Sequence, residues 1–249
     1  MPGNLSRPGA TVASRVVALL GAFDVDHRVL TGAELARRAG LPLATAHRLA
    51  VELAALGVLE RRAAGYVIGR RVWDWGLLAP VQAELRQAAA PFLQDLYSAT
   101  QATVHLAERA GQEALYLDRL SGRATVPVVS RVGGTLPLHA TGVGKILLAY
   151  APGDVQRAVL RELPRITPYT VVQPRILRGQ LERARRDGFA QTSEEMSLGA
   201  CSVAVPVRRR DEVIAALGVV VPDLRRNRGQ LVAALRVAAA GIGRVLSTE

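Results

Sequence analysis

The chain has 249 residues, 49% of them hydrophobic, and a formal charge of +11 carried almost wholly by arginine, since Lys145 is its only lysine. That length suits two domains with sizeable cores, the basic balance suits a polyanionic partner, and no uncharged apolar run of about 18 residues points to a membrane span. One cysteine, Cys201, excludes an intrachain disulfide and argues against a cysteine-built metal site, while a first segment without the apolar stretch of a secretory signal makes a cytoplasmic location the expectation.

Residues 1–12, rich in Gly, Pro and Ser, read as a mobile N-terminus. A winged domain is expected over 13–70. Its first helix covers 15–23, with Val16, Leu19, Leu20 and Phe23 on one side. Thr31 and Glu34 have the spacing of a capping box, and Leu35, Ala36 and Ala39 share a face of the helix that follows. Gly40 stands where the chain must turn sharply and positive φ is needed. Leu41 can plug the corner, and Pro42 fits the first turn of the next helix. Ala46, Leu49, Leu53 and Leu56 then recur at three- and four-residue spacing, the buried stripe of a third helix.

Ala44, Thr45, His47 and Arg48 fall outside that stripe near the helix N-terminus, where side chains reach base edges or phosphates when such a helix lies in a major groove. Residues 58–68 read as a hairpin around a glycine-containing turn. Three helices and a hairpin make a winged helix-turn-helix, with Arg61 and Arg62 on the wing. Phosphate contacts there would fix register without choosing sequence. A plain helical hairpin would show the same periodicity; the flanking helix and hairpin favour DNA. Charge does not locate the interface, because residues 1–79 hold ten arginines against six acids and the remainder is also basic.

Linker helices are expected over 71–98, at 72–78 and 81–97, with Pro80 and Pro91 as starts or kinks. Val81, Leu85, Ala88 and Phe92 form an apolar stripe, and Trp73, Trp75 and Leu77 add apolar surface. This segment is expected to pack against a second copy of the chain, packing on its own domain being the alternative. Residues 99–249 alternate strands and helices. Strands are expected at 102–109 and 113–120 around Ala110-Gly111-Gln112, at 125–132, 202–208 and 213–221. Helices are expected at 142–150, at 173–187 ending on Gly188, and at 231–246. Strands with covering helices give an α+β domain of the kind that senses small molecules.

Several motifs fail on spacing. Gly142-Val143-Gly144-Lys145 lacks the earlier glycine and the following Ser or Thr of a phosphate loop, since His139 and Ile146 stand there, and Leu147 occupies the third glycine position of a dinucleotide fingerprint. His27, His47, His105 and His139 are spread along the chain without neighbouring ligands, so no metal is expected, nor any cofactor. Glu194 and Glu195, adjacent on a strand or turn, would point apart rather than work as an acid/base pair. No base is placed beside Cys201 by the sequence.

The order of parts resembles the IclR family of bacterial transcriptional regulators over roughly 14–246. Three segments carry the likeness: 41–49 (LPLATAHRL), 136–149 (LPLHATGVGKILLA), and 188–195 (GFAQTSEE) followed by Gly199 and 202–207 (SVAVPV). The resemblance implies an N-terminal winged helix-turn-helix, a linker helix and a C-terminal GAF-like effector-binding domain. It further implies dimers, often paired into tetramers, on a palindromic operator of double-stranded DNA. It places Leu136, His139, Thr141, Gly142, Val143, Thr192, Ser202, Gly218 and Val220 around a small-molecule effector. Family members that bind small polar acids carry Asp where Thr192 stands, Cys where Ser202 stands, and serines at positions aligned with Gly218 and Val220. This chain departs at all four, so a roomier, more apolar pocket and a larger, partly apolar organic acid are expected. The reading is a repressor or activator; a small-molecule enzyme and a protein-interaction adaptor are the alternatives.

Overall fold

A computed structural model describes residues 11–24, 26–78, 82–121, 126 and 128–247. Of the expected mobile N-terminus 1–12, residues 1–10 lie outside them, as do Pro80, Val81 and part of the expected strand 125–132; Thr11 and Val12 instead cap and begin the first helix. The chain divides into two compact units, with the division at residue 82.

The first unit comprises α1 (Val12–Leu20), α2 (Gly32–Ala39), α3 (Leu43–Ala55), the hairpin β1 (Leu59–Arg62) and β2 (Gly65–Ile68), and α4 (Arg70–Leu77). Thr31 and Glu34 form both bonds of the capping box that starts α2, and Gly40 ends it at φ 64°, the left-handed conformation that glycine adopts without a Cβ clash. Leu19, Leu35, Ala46, Leu49, Leu53, Leu59 and Tyr66 close one small core, with Leu41 packed at its margin. Arg38 ties α2 to the segment after α1, donating through Nε to the Ala22 carbonyl at 2.6 Å and pairing with Asp24 at 2.5 Å. Three details differ from expectation. Leu56, one residue past the last turn of α3, is 52% exposed, and Ala50 takes its place in the stripe. Pro42 caps α3 from outside rather than opening it. Gly65 begins β2, leaving Ala63 and Ala64 as the turn.

The second unit is a six-stranded antiparallel sheet in the order β5-β4-β3-β8-β7-β6, formed by β3 (Thr103–Ala110), β4 (Glu113–Leu120), β5 (Thr135–Pro137), β6 (Ala190–Ser193), β7 (Cys201–Arg209) and β8 (Glu212–Val221). Strand alternation gives the sheet two apolar faces. Val104, Leu106, Val203, Val205, Leu217 and Val219 face α5 (Ala83–Thr100) and α9 (Arg228–Ser247). Ala107, Ala114, Tyr116, Ala204 and Ala216 face α6 (Gly142–Ala149), α7 (Gly153–Arg161) and α8 (Pro174–Asp187).

Residues 128–132 form no strand; the pairing with β4 falls instead to Thr135–Pro137. Pro91 lies within α5 rather than at its start. Within the segment expected to meet a second copy, Leu85 and Ala88 are buried with α9 and Phe92 packs beside them. α9 is the one helix among the described residues long and apolar enough to cross a membrane. Its Leu231, Leu235, Ala239 and Ile242 are spent on the sheet.

Candidate functional sites: an exposed helix face and an enclosed pocket

In the first unit, the apolar stripe of α3 turns Ala44, His47 and Arg48 to solvent, with Thr45 half-buried. Arg48 makes no ion pair among the described residues. Arg61 and Arg62 are exposed on β1, but Arg62 is held by Glu60, Nε to Oε1 at 3.1 Å. An exposed, uncommitted helix N-terminal face beside a basic hairpin is the shape of a groove-reading module.

In the second unit, register builds the pocket. Thr192 pairs with Ser202, Ser202 with Val220, Ala204 with Gly218, and Gly218 with His105. These pairings put Thr192, Ser202, Gly218, Val220 and His105 on the sheet face that carries α6. The N-terminus of α6 comes down onto them: the Gly142 N–H donates to Ser202 Oγ at 3.1 Å, and Ser202 Oγ lies 2.5 Å from Thr192 Oγ1. Thr141 caps the helix by accepting from the Gly144 N–H at 3.0 Å. Only glycine permits this approach, because a Cβ on Gly142 would stand 2.6 Å from Ser202 Oγ.

Leu136, Thr141, Gly142, Val143, Thr192, Ser202, Gly218 and Val220 all line one cavity of about 50 Å³. His139 does not. Its imidazole is buried on the Pro164 carbonyl, Nε2 to O 3.0 Å, away from the lining. Nor does Gly218 open room, because a Cβ there would meet Val143 Cγ1 at 2.9 Å; the space a serine would use is already filled by valine. Val128, Val129, Met196 and Val219 add apolar wall.

The lining residues that escaped the sequence reading include His105, Tyr116 and Ser130. His105 Nε2 is 2.7 Å from Ser130 Oγ, and its ring meets Tyr116 edge-on at 5.0 Å. Burial pushes the imidazole down to about 3, with the nearby Arg119 charge adding to the shift; burial likewise pushes the Tyr116 phenol up to about 12. Both are neutral at working pH, so the lining carries no formal charge among the described residues. A signal existed: His105 is the one imidazole inside the apolar strand Thr103-Val104-His105-Leu106-Ala107, with the parity of the α6-facing residues.

The His105 shift has a measurable sign. An unfolded chain takes up this proton near pH 6.5, whereas the folded one refuses it down to about 3. The associated stability is therefore complete above pH 6.5 and lost as pH falls through that window. His105→Gln is expected to flatten the acid limb of a urea-unfolding profile by about 1.4 kcal/mol per pH unit. An unchanged slope would contradict a buried neutral imidazole.

A helix-turn-helix module with an uncommitted face, joined in one chain to a domain whose pocket is lined, among the described residues, by neutral groups, defines the class of ligand-sensing DNA-binding proteins. Comparison with known proteins makes this specific. The IclR helix-turn-helix domain matches residues 12–63, and the bacterial transcriptional regulator IclR C-terminal domain matches 79–244. A crystal structure of an IclR homolog from Microbacterium hydrocarbonoxydans, complexed with 4-hydroxybenzoate, is 37% identical with a TM-score of 0.91, over 96% of this chain and all of that one. A curated relative, the HTH-type transcriptional regulator BhcR of Paracoccus denitrificans, is 33% identical over 90% of this chain and 84% of its own length. XynR of Escherichia coli, also an HTH-type transcriptional regulator, is 30% identical over 82% of this chain and 83% of its own. The chain belongs to the IclR family of bacterial transcriptional regulators.

Proposed function

We propose that this regulator binds its operator through α3 and the wing, and that an aromatic or similarly apolar monoacid in the C-terminal pocket changes that binding. Ala44, Thr45, His47 and Arg48 would face the major groove, with Arg61 and Arg62 on flanking phosphates. Assembly as a dimer, and as a pair of dimers, is part of the reading; α4 leaves Trp73, Trp75, Leu77 and Leu78 exposed.

The observation that carries the effector assignment is a pocket lined by neutral polar groups set among apolar side chains. At its α6 pole, hydroxyls of Thr141, Thr192 and Ser202 surround the positive end of the helix, a place for a carboxylate. Tyr116, whose hydroxyl bonds to Thr141 and whose ring meets His105, joins that pole to His105 and Ser130, which offer partners for a hydroxyl. A lining without formal charge matches one anionic group and an apolar body, and disfavours a polyanion. The related structure that holds 4-hydroxybenzoate supports this choice. The chain acts by binding rather than turnover: a His105 held near 3 is a poor general base at neutral pH for the Ser130 hydroxyl beside it.

The cavity of about 50 Å³ is smaller than the roughly 150 Å³ that accommodates benzene in an engineered protein cavity, so a ring must move a wall to enter. An effector shifts operator binding only by its differential affinity for two arrangements of the protein, and moving a wall supplies the difference. Titration calorimetry with 4-hydroxybenzoate and a panel of two- and three-carbon acids tests the assignment. The aromatic acid is expected to bind at least about tenfold more tightly, a difference of roughly 1.4 kcal/mol. Tighter binding by the short acids overturns it.

A further inference from the structure

One wall is built to move. Residues 194–200 leave β6, cross the pocket and return to β7, contributing Met196, Ser197 and Ala200 to its lining. The segment is closed on itself: the Glu194 N–H donates to the Ala200 carbonyl at 2.9 Å, and the Gly199 N–H to Glu194 Oε2 at 2.9 Å. It behaves as one strap rather than as separate residues.

The strap is fastened at Glu195. Lys145 Nζ lies 2.5 Å from Glu195 Oε1, both side chains being buried. Lys145 stands two residues beyond Val143 on α6, so the helix that forms the pocket's polar pole also holds the strap from behind. Thr170 donates its hydroxyl to the Glu195 carbonyl and Thr167 to the Glu194 carbonyl, each at 2.7 Å. The fastening is incomplete, however. Beyond Lys145, the Glu195 carboxylate draws only on the Val171 backbone N–H, and no hydrogen bond of good geometry reaches its buried Oε2. A buried ion pair offsets its desolvation only when the remaining lone pairs are satisfied, so this one holds the strap without locking it.

We infer that Lys145 and Glu195 are a positioning pair that sets the aperture of the effector pocket, letting strap 194–200 lift from α6 without unfolding of the domain. The inference rests on the pocket being the effector site, but its principal test needs no ligand.

The test is hydrogen exchange of the full-length protein bearing Lys145→Met and Glu195→Gln together, a pair that removes the ionic contact while leaving no lone buried charge. Amides of 194–200 are expected to exchange at least about tenfold faster, with β7 and β8 protected as in the wild type. Stopped-flow binding of 4-hydroxybenzoate is expected to show association and dissociation both accelerated, with Kd moving less than either rate. Strap exchange within twofold of wild type would overturn the inference, and so would a uniform rise across β7 and β8, which marks a merely structural contact. Should the double variant not fold, exchange of the wild type decides: amides of 194–200 are expected to open without β7 and β8, and a strap that exchanges only together with β7 and β8 overturns the inference. If the wild type binds no 4-hydroxybenzoate, the exchange result still decides the strap, and only the effector assignment falls.

Discussion

Replacing Lys145 with alanine is expected to lower the stability of the C-terminal unit by about 3–5 kcal/mol, the cost of leaving one member of a buried ion pair alone. The two side chains are 1% and 7% exposed, so solvent screens little of their interaction. Burial pulls each toward its neutral form: the Lys145 amine is held below its ordinary range and the Glu195 carboxyl above its own, in each case against the attraction of the partner. With alanine at 145, only the Val171 backbone N–H still opposes burial at Glu195, and its carboxyl stays above the ordinary 4.5.

The folded variant then keeps a proton that the unfolded chain releases. Its Glu195 contribution is therefore retained below about pH 4.5 and lost as pH rises through the folded value. Urea unfolding is expected to show the larger deficit near pH 7.5 and a smaller one near pH 5. A deficit under about 1 kcal/mol at both would place the pair in solvent, where such contacts contribute little.

Local chemistry made the DNA-binding unit readable. Thr31, Glu34 and Gly40 act within a few residues of themselves, and the α3 stripe repeats within one helix, so none of them depends on the partner strands of a sheet. The slip at Leu56 came from extending a period one residue beyond the helix that enforces it. The pocket was half readable. Its α6 pole lies in one continuous segment, and Thr192 and Ser202 adjoin a short connection. His105 announced itself only as a lone imidazole in an apolar strand; that it and Tyr116 meet at the pocket depends on β3 pairing with both β4 and β8 and on a bulge between Leu106 and Ala107. Lys145 and Glu195 are fifty positions apart, and nothing local announces that they meet. His139 shows the converse error. It sits inside a motif whose neighbours line the cavity, yet its ring turns to the Pro164 carbonyl.

The second large effect concerns Arg48. Its guanidinium is exposed on α3 and carries no ion pair among the described residues, unlike Arg38 and Arg62. Nothing within the unit must be broken for it to reach DNA. A bidentate contact from arginine to a guanine edge is worth about 1–3 kcal/mol of discrimination. Arg48→Ala is therefore expected to lower operator affinity by roughly 5- to 150-fold per docked helix, mostly at the expense of sequence preference. Arg61→Ala is expected to weaken all sequences alike and to reduce the salt slope by about one, as loss of a phosphate contact does. Wild-type affinity should fall steeply with salt, by about 10³–10⁵ between 50 and 200 mM if six to ten phosphates are neutralised.

The decisive measurement is fluorescence anisotropy of the full-length protein on DNA from upstream of its own locus and on a scrambled duplex of equal length, at several salt concentrations, for wild type and Arg48→Ala. The wild type should prefer the upstream duplex and lose affinity with salt, while Arg48→Ala should retain the salt dependence and lose most of the preference. An Arg48→Ala protein that still distinguished the two duplexes as well as wild type would contradict the placement of α3 in the groove.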